Sequence, residues 1–217
     1  MEDLKANGIN FVFNTKIGRD LTMSELKAQG YEKVFAAVGA QHIQESNIPG
    51  FAMALDANKF LYQVNCGEKI ALEGNVAVVG AGFAAINAAR SAVRLGAKKV
   101  TLLWPGAAPK ASGMVENLTA AQEEGVSVLD NCTPVEICAD KVVINREGME
   151  LAVACDKSIL VNTYKAEAPA DDPGLLVTTS ARINNVISAI TAGKEAAVAI
   201  DKMILGDAAT LEAIGTL

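Results

Sequence analysis

An α/β fold built on parallel strands is the architecture this sequence predicts, and three observations predict it. Val76-Ala77-Val78-Val79 is a continuous apolar run that leads straight into Gly80-Ala81-Gly82-Phe83-Ala84-Ala85. A stretch rich in small residues follows, closes at Gly96, and gives way to a second apolar run, Val100-Thr101-Leu102-Leu103-Trp104. A third run, Val126-Ser127-Val128-Leu129, comes after another helical stretch that ends at Gly125. Apolar strands alternating with helices are the pattern of a parallel sheet covered on both faces.

The turn after the first of these strands has the spacing of a Rossmann-like dinucleotide turn. Gly80 permits the tight turn, Gly82 lets backbone approach a pyrophosphate, and Ala85 is small enough for helix and strand to pack closely. Phe83 and Ala84 complete the candidate binding set, because the N–H groups that open the helix carry the favourable end of its dipole. Ala85, Ala88, Ala89 and Ala92 share one helix face. Arg90 and Arg94 lie elsewhere, on a solvated or inter-domain face. The second strand ends Leu103-Trp104-Pro105-Gly106. It offers neither the carboxylate that bonds a ribose 2′-hydroxyl nor arginines for a 2′-phosphate. Trp104 is therefore a candidate surface for adenine stacking, or else an edge aromatic that covers the sheet.

The remaining elements follow in order. Residues 1–8 suit the end of a helix, and 9–14 a short strand. Thr22 is an N-cap with Glu25 three residues on, the spacing of a capping box. Residues 33–38 form an apolar strand closing on Gly39, and Ile48-Pro49-Gly50 is a turn that suits a crossing between units. Helices are expected over 54–64 and 115–124. Runs at 141–145 and 151–154 pair around Glu147-Gly148, and 158–162 closes the unit or returns the chain to the first one. Residues 166–174 read as an exposed loop. A long helix spans 184–205, with Ile187, Ile190, Ala197, Ile200 and Ile204 at three- and four-residue steps.

Composition narrows the function classes. The 217 residues carry a net charge of −6, which argues against nucleic acid or an anionic membrane as principal partner. No run approaches the roughly 18 apolar residues of a membrane span, and the N-terminus lacks the basic start and apolar core of a secretory signal. Cytoplasmic location is the expectation. Cys66, Cys132, Cys138 and Cys155 form no C-x-x-C pair, so neither a metal site nor a redox dithiol is expected. His42 is a loop histidine with no nameable catalytic partner.

The order of parts resembles the NAD(P)H-dependent glutamate synthase small (beta) subunit and its relatives among the two-domain pyridine-nucleotide/flavin oxidoreductases. Residues 80–90 fall on the family's glycine turn and helix, and Arg94-Leu95-Gly96-Ala97 on its R-L-G-A. Glu123-Glu124-Gly125-Val126 matches the stretch before its third nucleotide-domain strand, and Ile48-Pro49-Gly50 its I-P-G. Thr179-Ser180 and residues 192–197 fit its C-terminal segment. The resemblance implies an NAD(P)-binding Rossmann-like domain over 48–157, inserted in an incomplete FAD-type domain formed by 1–47 and 158–217. It implies NAD(P)H as cofactor, with FAD bound only if another chain or a missing segment completes its site. The family's first glycine turn is absent here, and no Gly-Asp pair stands where its flavin aspartate belongs. Phe83 and Asn87 replace the family's Asn and Asp.

Two roles follow. One is a module that passes hydride from NAD(P)H to a flavin completed elsewhere. The other is a non-catalytic structural or assembly subunit that kept the fold and lost the redox site. An incomplete FAD-type half leaves apolar surface uncovered, so a partner subunit or self-association is expected.

Overall fold

A computed structural model of the chain describes residues 1–40, 42–44, 46–110, 112–165, 176–177 and 186–205. In chain order its first elements are α1 (Glu2–Ala6), α2 (Met23–Ala28), β1 (Val34–Phe35), β2 (His42–Ile43), a single 3-10 turn (Phe51–Met53), β3 (Leu55–Asp56) and α3 (Ala57–Asn65). Then come β4 (Asn75–Val79), α4 (Gly82–Arg94), β5 (Lys99–Leu103), α5 (Ser112–Glu123) and β6 (Val126–Leu129). The chain continues through β7 (Cys132–Ile137), β8 (Lys141–Arg146), β9 (Met149–Ala154), β10 (Lys157–Leu160), β11 (Tyr164–Lys165), β12 (Leu176–Val177) and α6 (Val186–Leu205). Two compact units result: a split unit, Met1–His42 with Lys165–Leu217, and a central unit, Ile43–Tyr164.

The central unit is a parallel five-stranded sheet in the order β3-β10-β4-β5-β6. Residues alternate across each strand, and the two faces have separate cores. Val76, Val78, Val100, Leu102 and Ile159 meet α3, α4 and α5 on one side. Ala77, Val79, Leu103 and Leu160 meet an antiparallel meander, β7-β8-β9, on the other through Ile137, Val142 and Ile144. A strand buried on both faces has to be apolar at every position, which is why 76–79 shows no polar alternation. β10 lies beside β4, so residues 157–160 close this unit.

Two features of the unit differ from expectation. Ile48-Pro49-Gly50 is not a crossing; it lies inside the unit, where Ile137 donates its N–H to the Pro49 carbonyl at 2.9 Å. β7 is an element the sequence pattern hides, because Pro134 cannot donate to a ladder. A register shift between Pro134 and Glu136 accommodates it against β8.

In the split unit the capping box at Thr22 forms, with Glu25 N–H donating to Thr22 Oγ1 at 3.2 Å and Thr22 N–H to Glu25 Oε2 at 2.8 Å. The strand expected over 33–38 contracts to Val34–Phe35, whose parallel partner is the two-residue β12. No strand forms over 9–14. Among the described residues no strand pairs with that segment, which instead stacks Phe11 on Phe13, ring centroids 6.0 Å apart. Along α6 the buried positions are Ala192 and Ala196, while Ile187 and Ile190 are 78% and 57% exposed. Of the apolar positions at three- and four-residue steps, Ala197 and Ile204 are also exposed and Ile200 is half-buried. The expected loop at 166–174 and Thr179-Ser180 lie outside the described residues.

On α4 and α5, Arg90 and Arg94 do not face solvent unpaired. Both donate to Glu124 Oε1, at 2.5 and 2.7 Å. Hydrogen bonds from Arg90, then Arg94, lower the Glu124 carboxyl from an ordinary 4.5 to about 2. A depressed carboxylate contributes stability that is complete above the unfolded value and is lost as pH falls towards the folded one. Replacing Glu124→Gln is therefore expected to lower the melting temperature at pH 7. The gap from the parent protein should close steadily between pH 4.5 and pH 2 in a thermal-denaturation series. A gap of constant size across that range would show that the ion pair contributes nothing.

Candidate functional site

The C-terminal edge of the parallel sheet carries the groups with chemistry. β4 and β5 are neighbours on one side and β10 lies on the other side of β4. Strand order therefore reverses at β4, the point at which open α/β sheets leave a crevice for ligands. The glycine turn sits there. Gly80 has φ +138°, and a Cβ placed on it would lie 2.6 Å from Val161 Cβ, in the segment following β10. Gly82 has φ +81° and nothing within 4 Å of where a Cβ would stand. The two glycines thus answer different demands: Gly80 makes room for protein, and Gly82 leaves room outside it.

Helix α4 begins with Gly82, and its N-cap, Ala81, supplies no side-chain hydrogen bond. An α-helix leaves its first N–H groups unsatisfied, so those of α4 are offered to an anion. Ala84 is half-buried and Phe83 is 51% exposed at the mouth of the turn. Ala85, Ala88, Ala89 and Ala92 are fully buried in the core between α4 and the sheet, which brings the helix N-terminus close to β4. These features fit a pyrophosphate.

Trp104 is placed differently from an adenine platform. Its side chain is 5% exposed and packs in the helical-face core, because the strand extension carries it inward as β6 holds it: Trp104 N–H donates to the Leu129 carbonyl at 2.8 Å. It covers the sheet and presents no open ring face.

Two polar clusters on the same sheet edge are brought together from distant positions and are invisible to motif reading. Asp56, at the end of β3, caps α3 by accepting from Lys59 N–H at 2.8 Å. It also accepts from Asn162 Nδ2 at 2.7 Å and from the Tyr164 hydroxyl. Burial, then the bond to Asp56, pushes the Tyr164 phenol up, so it remains a donor at neutral pH. The second cluster joins Asp130, just after β6, to Arg146 at the end of β8. Arg146 donates from Nε to the Asp130 carbonyl and from Nη2 to Asp130 Oδ1, both at 3.0 Å. The hairpin read from the sequence, β8 with β9, pairs Arg146 with Met149; it is the pairing with β7, which the sequence pattern hides, that places Arg146 opposite Cys132.

The thiols take no part. Cys132 and Cys155 are buried, and desolvation pushes both up and keeps them protonated. Cys66 and Cys138 are also free. Among the described residues no group of three or more His, Cys, Asp or Glu is placed to hold a metal, and no helix is long and apolar enough to cross a membrane.

Residues 3–168, which include the glycine turn and the whole sheet, match the pyridine nucleotide-disulphide oxidoreductase family. The chain belongs to that family. Its relatives include the NADP(+)-dependent formate dehydrogenase subunit beta of Moorella thermoacetica, 32% identical over 69% of this chain and 22% of that protein. The NADPH-Fe(3+) oxidoreductase subunit beta of Geobacter sulfurreducens is 30% identical over 64% of the chain and 21% of its own length. The glutamate synthase [NADPH] small chain of Halomonas elongata is 31% identical over 65% and 34%. The chain therefore spans between a fifth and about a third of these relatives. Among solved structures, 2-naphthoyl-CoA reductase superposes with a TM-score of 0.70 at 19% identity, over 90% of this chain and 30% of that one. The 6-hydroxypseudooxynicotine amine oxidase of Pseudomonas geniculata N1 gives 0.65 at 19%, over 89% and 33%. At that identity the likeness is one of fold. Proteins of the pyridine nucleotide-disulphide oxidoreductase family bind FAD and NAD(P).

Proposed function

We infer that this chain is the nucleotide-binding module of an NAD(P)H-dependent flavoprotein oxidoreductase of the glutamate synthase small-subunit type. The observation that carries the inference is the uncapped N-terminus of α4, with open space in front of Gly82. Gly80, Gly82, Phe83, Ala84 and Ala85 form the cradle, and Trp104, buried in the helical-face core, does not stack on the base. The nucleotide, when bound, supplies hydride; the chain's own part is to fix the phosphates and the orientation. The acceptor is a flavin completed by another polypeptide or by a segment outside this sequence. The exposed Val12, Phe13, Ile187 and Ile190 of the split unit, 76%, 60%, 78% and 57% accessible, support a partner subunit or self-association, and the named relatives are themselves subunits.

Titration of the purified chain with NADH and NADPH, followed by nicotinamide fluorescence, tests this directly. Asparagine tolerates the left-handed backbone of Gly82, so Gly82→Asn is expected to fold normally yet fill the cradle. Affinity should fall at least about tenfold, the equivalent of roughly 1.4 kcal/mol. If the parent chain binds neither nucleotide at millimolar concentration, the cofactor role is lost. A structural or assembly subunit is the alternative role, favoured by the uncharged end of β5. Stoichiometric FAD uptake, visible as a yellow protein, would exclude that alternative.

A further inference from the structure

Strand β5 ends without a charge, yet the tertiary structure places one beside it. Asp130 follows β6, the strand next to β5, and the backbones there are tied: Cys132 N–H donates to the Trp104 carbonyl at 3.0 Å, and Asn131 N–H to the Gly106 carbonyl at 2.7 Å. A cavity of about 330 Å³ opens at this point, lined by Ala108 and Pro109 of the loop after β5, Leu118, Thr119 and Gln122 of α5, and Asp130 itself. Its volume is at the lower end of the range for small-molecule sites, and its wall mixes apolar and polar surface in nearly equal parts. β6 is two strands from β4, ~10 Å at the usual spacing. The cavity lies between α5 and the edge strand β6, on the β5 side of β4, and no residue of the glycine turn lines it.

Arg146 holds Asp130 in place through its two hydrogen bonds, one of them to Oδ1. Among the described residues Oδ2 makes no hydrogen bond. A carboxylate with one oxygen anchored and one open is suited to accept from a hydroxyl. A phosphate ester in the same place would face that carboxylate, and could pair with Arg146 only by breaking the existing ion pair. Lys110, the one base in the loop after β5, is exposed and does not line the cavity.

We propose that this cavity receives the adenosine of the nucleotide and that Asp130, oriented by Arg146, reads the ribose 2′-hydroxyl, so that the chain takes NAD(H) in preference to NADP(H). The proposal rests on the nucleotide-binding role inferred above. It departs from the three relatives named above, whose names specify NADP(+) or NADPH.

Calorimetric titration of the full chain with ADP-ribose, NAD⁺ and NADP⁺ separates the two inferences. ADP-ribose and NAD⁺ are expected to bind at least about tenfold more tightly than NADP⁺, as a hydrogen bond to a charged group provides. Asp130→Ala should remove that ratio by weakening NAD⁺, and Asp130→Asn should reduce it while keeping an acceptor for Arg146. Thr119 is exposed, so Thr119→Phe should fill the cavity and weaken ADP-ribose and NAD⁺ alike, with an unchanged melting temperature. NADP⁺ binding as tightly as NAD⁺, a preference that survives Asp130→Ala in a folded variant, or full ADP-ribose affinity in Thr119→Phe would overturn the assignment and leave the nucleotide role standing. Failure of all three ligands to bind would remove both.

Discussion

Gly50→Ala is expected to destabilise the central unit by about 3 kcal/mol or more, the largest effect expected of an alanine at any of the described glycines. Gly50 sits at φ +76°, and a Cβ there would stand 1.9 Å from the carbonyl oxygen of Ile137 and 3.0 Å from its carbonyl carbon. Left-handed backbone alone costs an alanine about 1–2 kcal/mol. The obstruction is backbone, so no rotamer change relieves it. The turn has to move away from β7, and that breaks the bond from Ile137 N–H to the Pro49 carbonyl, a further loss of about 1 kcal/mol. Urea denaturation should show the lower midpoint with an unchanged slope. A midpoint within experimental error of the parent protein would mean the turn is not seated on β7 as described.

Gly80→Ala is also expected to destabilise the chain, and it has a built-in control. Here the obstruction is a side chain: Val161 Cβ at 2.6 Å and Cγ2 at 2.8 Å, with φ at +138°. Strained backbone and contact together put the loss at about 2–4 kcal/mol. Val161→Ala removes one of the two causes. In the double variant, therefore, Gly80→Ala should cost about 1 kcal/mol less than it does in the parent background, a coupling of the size expected for residues in contact. Strict additivity in a double-mutant cycle would show that the strain is all backbone, and that Val161 does not define the width of the crevice at the end of β10. The contrast with Gly82→Asn is informative, since that variant is expected to lose nucleotide without losing stability.

The central sheet was legible because its signals are local. Val76 to Val79 are apolar at consecutive positions, which is what burial on both faces demands, and the alanines of α4 recur with the helical period. Gly96 and Gly125 mark helix ends with positive φ, and Thr22 with Glu25 states its cap in four residues. Two readings failed and one element was missed for one shared reason. The segment over 9–14 has no neighbouring edge among the described residues, the I-P-G turn found a partner in β7 almost ninety residues on, and β7 itself tolerated Pro134 through a register shift. Each outcome depended on what lay across from the segment, which composition and periodicity do not encode.

The sequence by itself determined the class of fold and the order of strand, glycine turn and helix. Those follow from backbone conformation and burial, properties that a few consecutive residues specify. Only the tertiary structure decided that Gly80 is narrowed by Val161 while Gly82 faces open space, that Trp104 is sealed in the core, and that Arg90 and Arg94 converge on Glu124. It also decided that Asp130 and Arg146 supply a charge beside the uncharged end of β5. Hydrogen bonds and ion pairs act over a few ångströms, and residues this far apart in the chain meet at that range only once the sheet order is set.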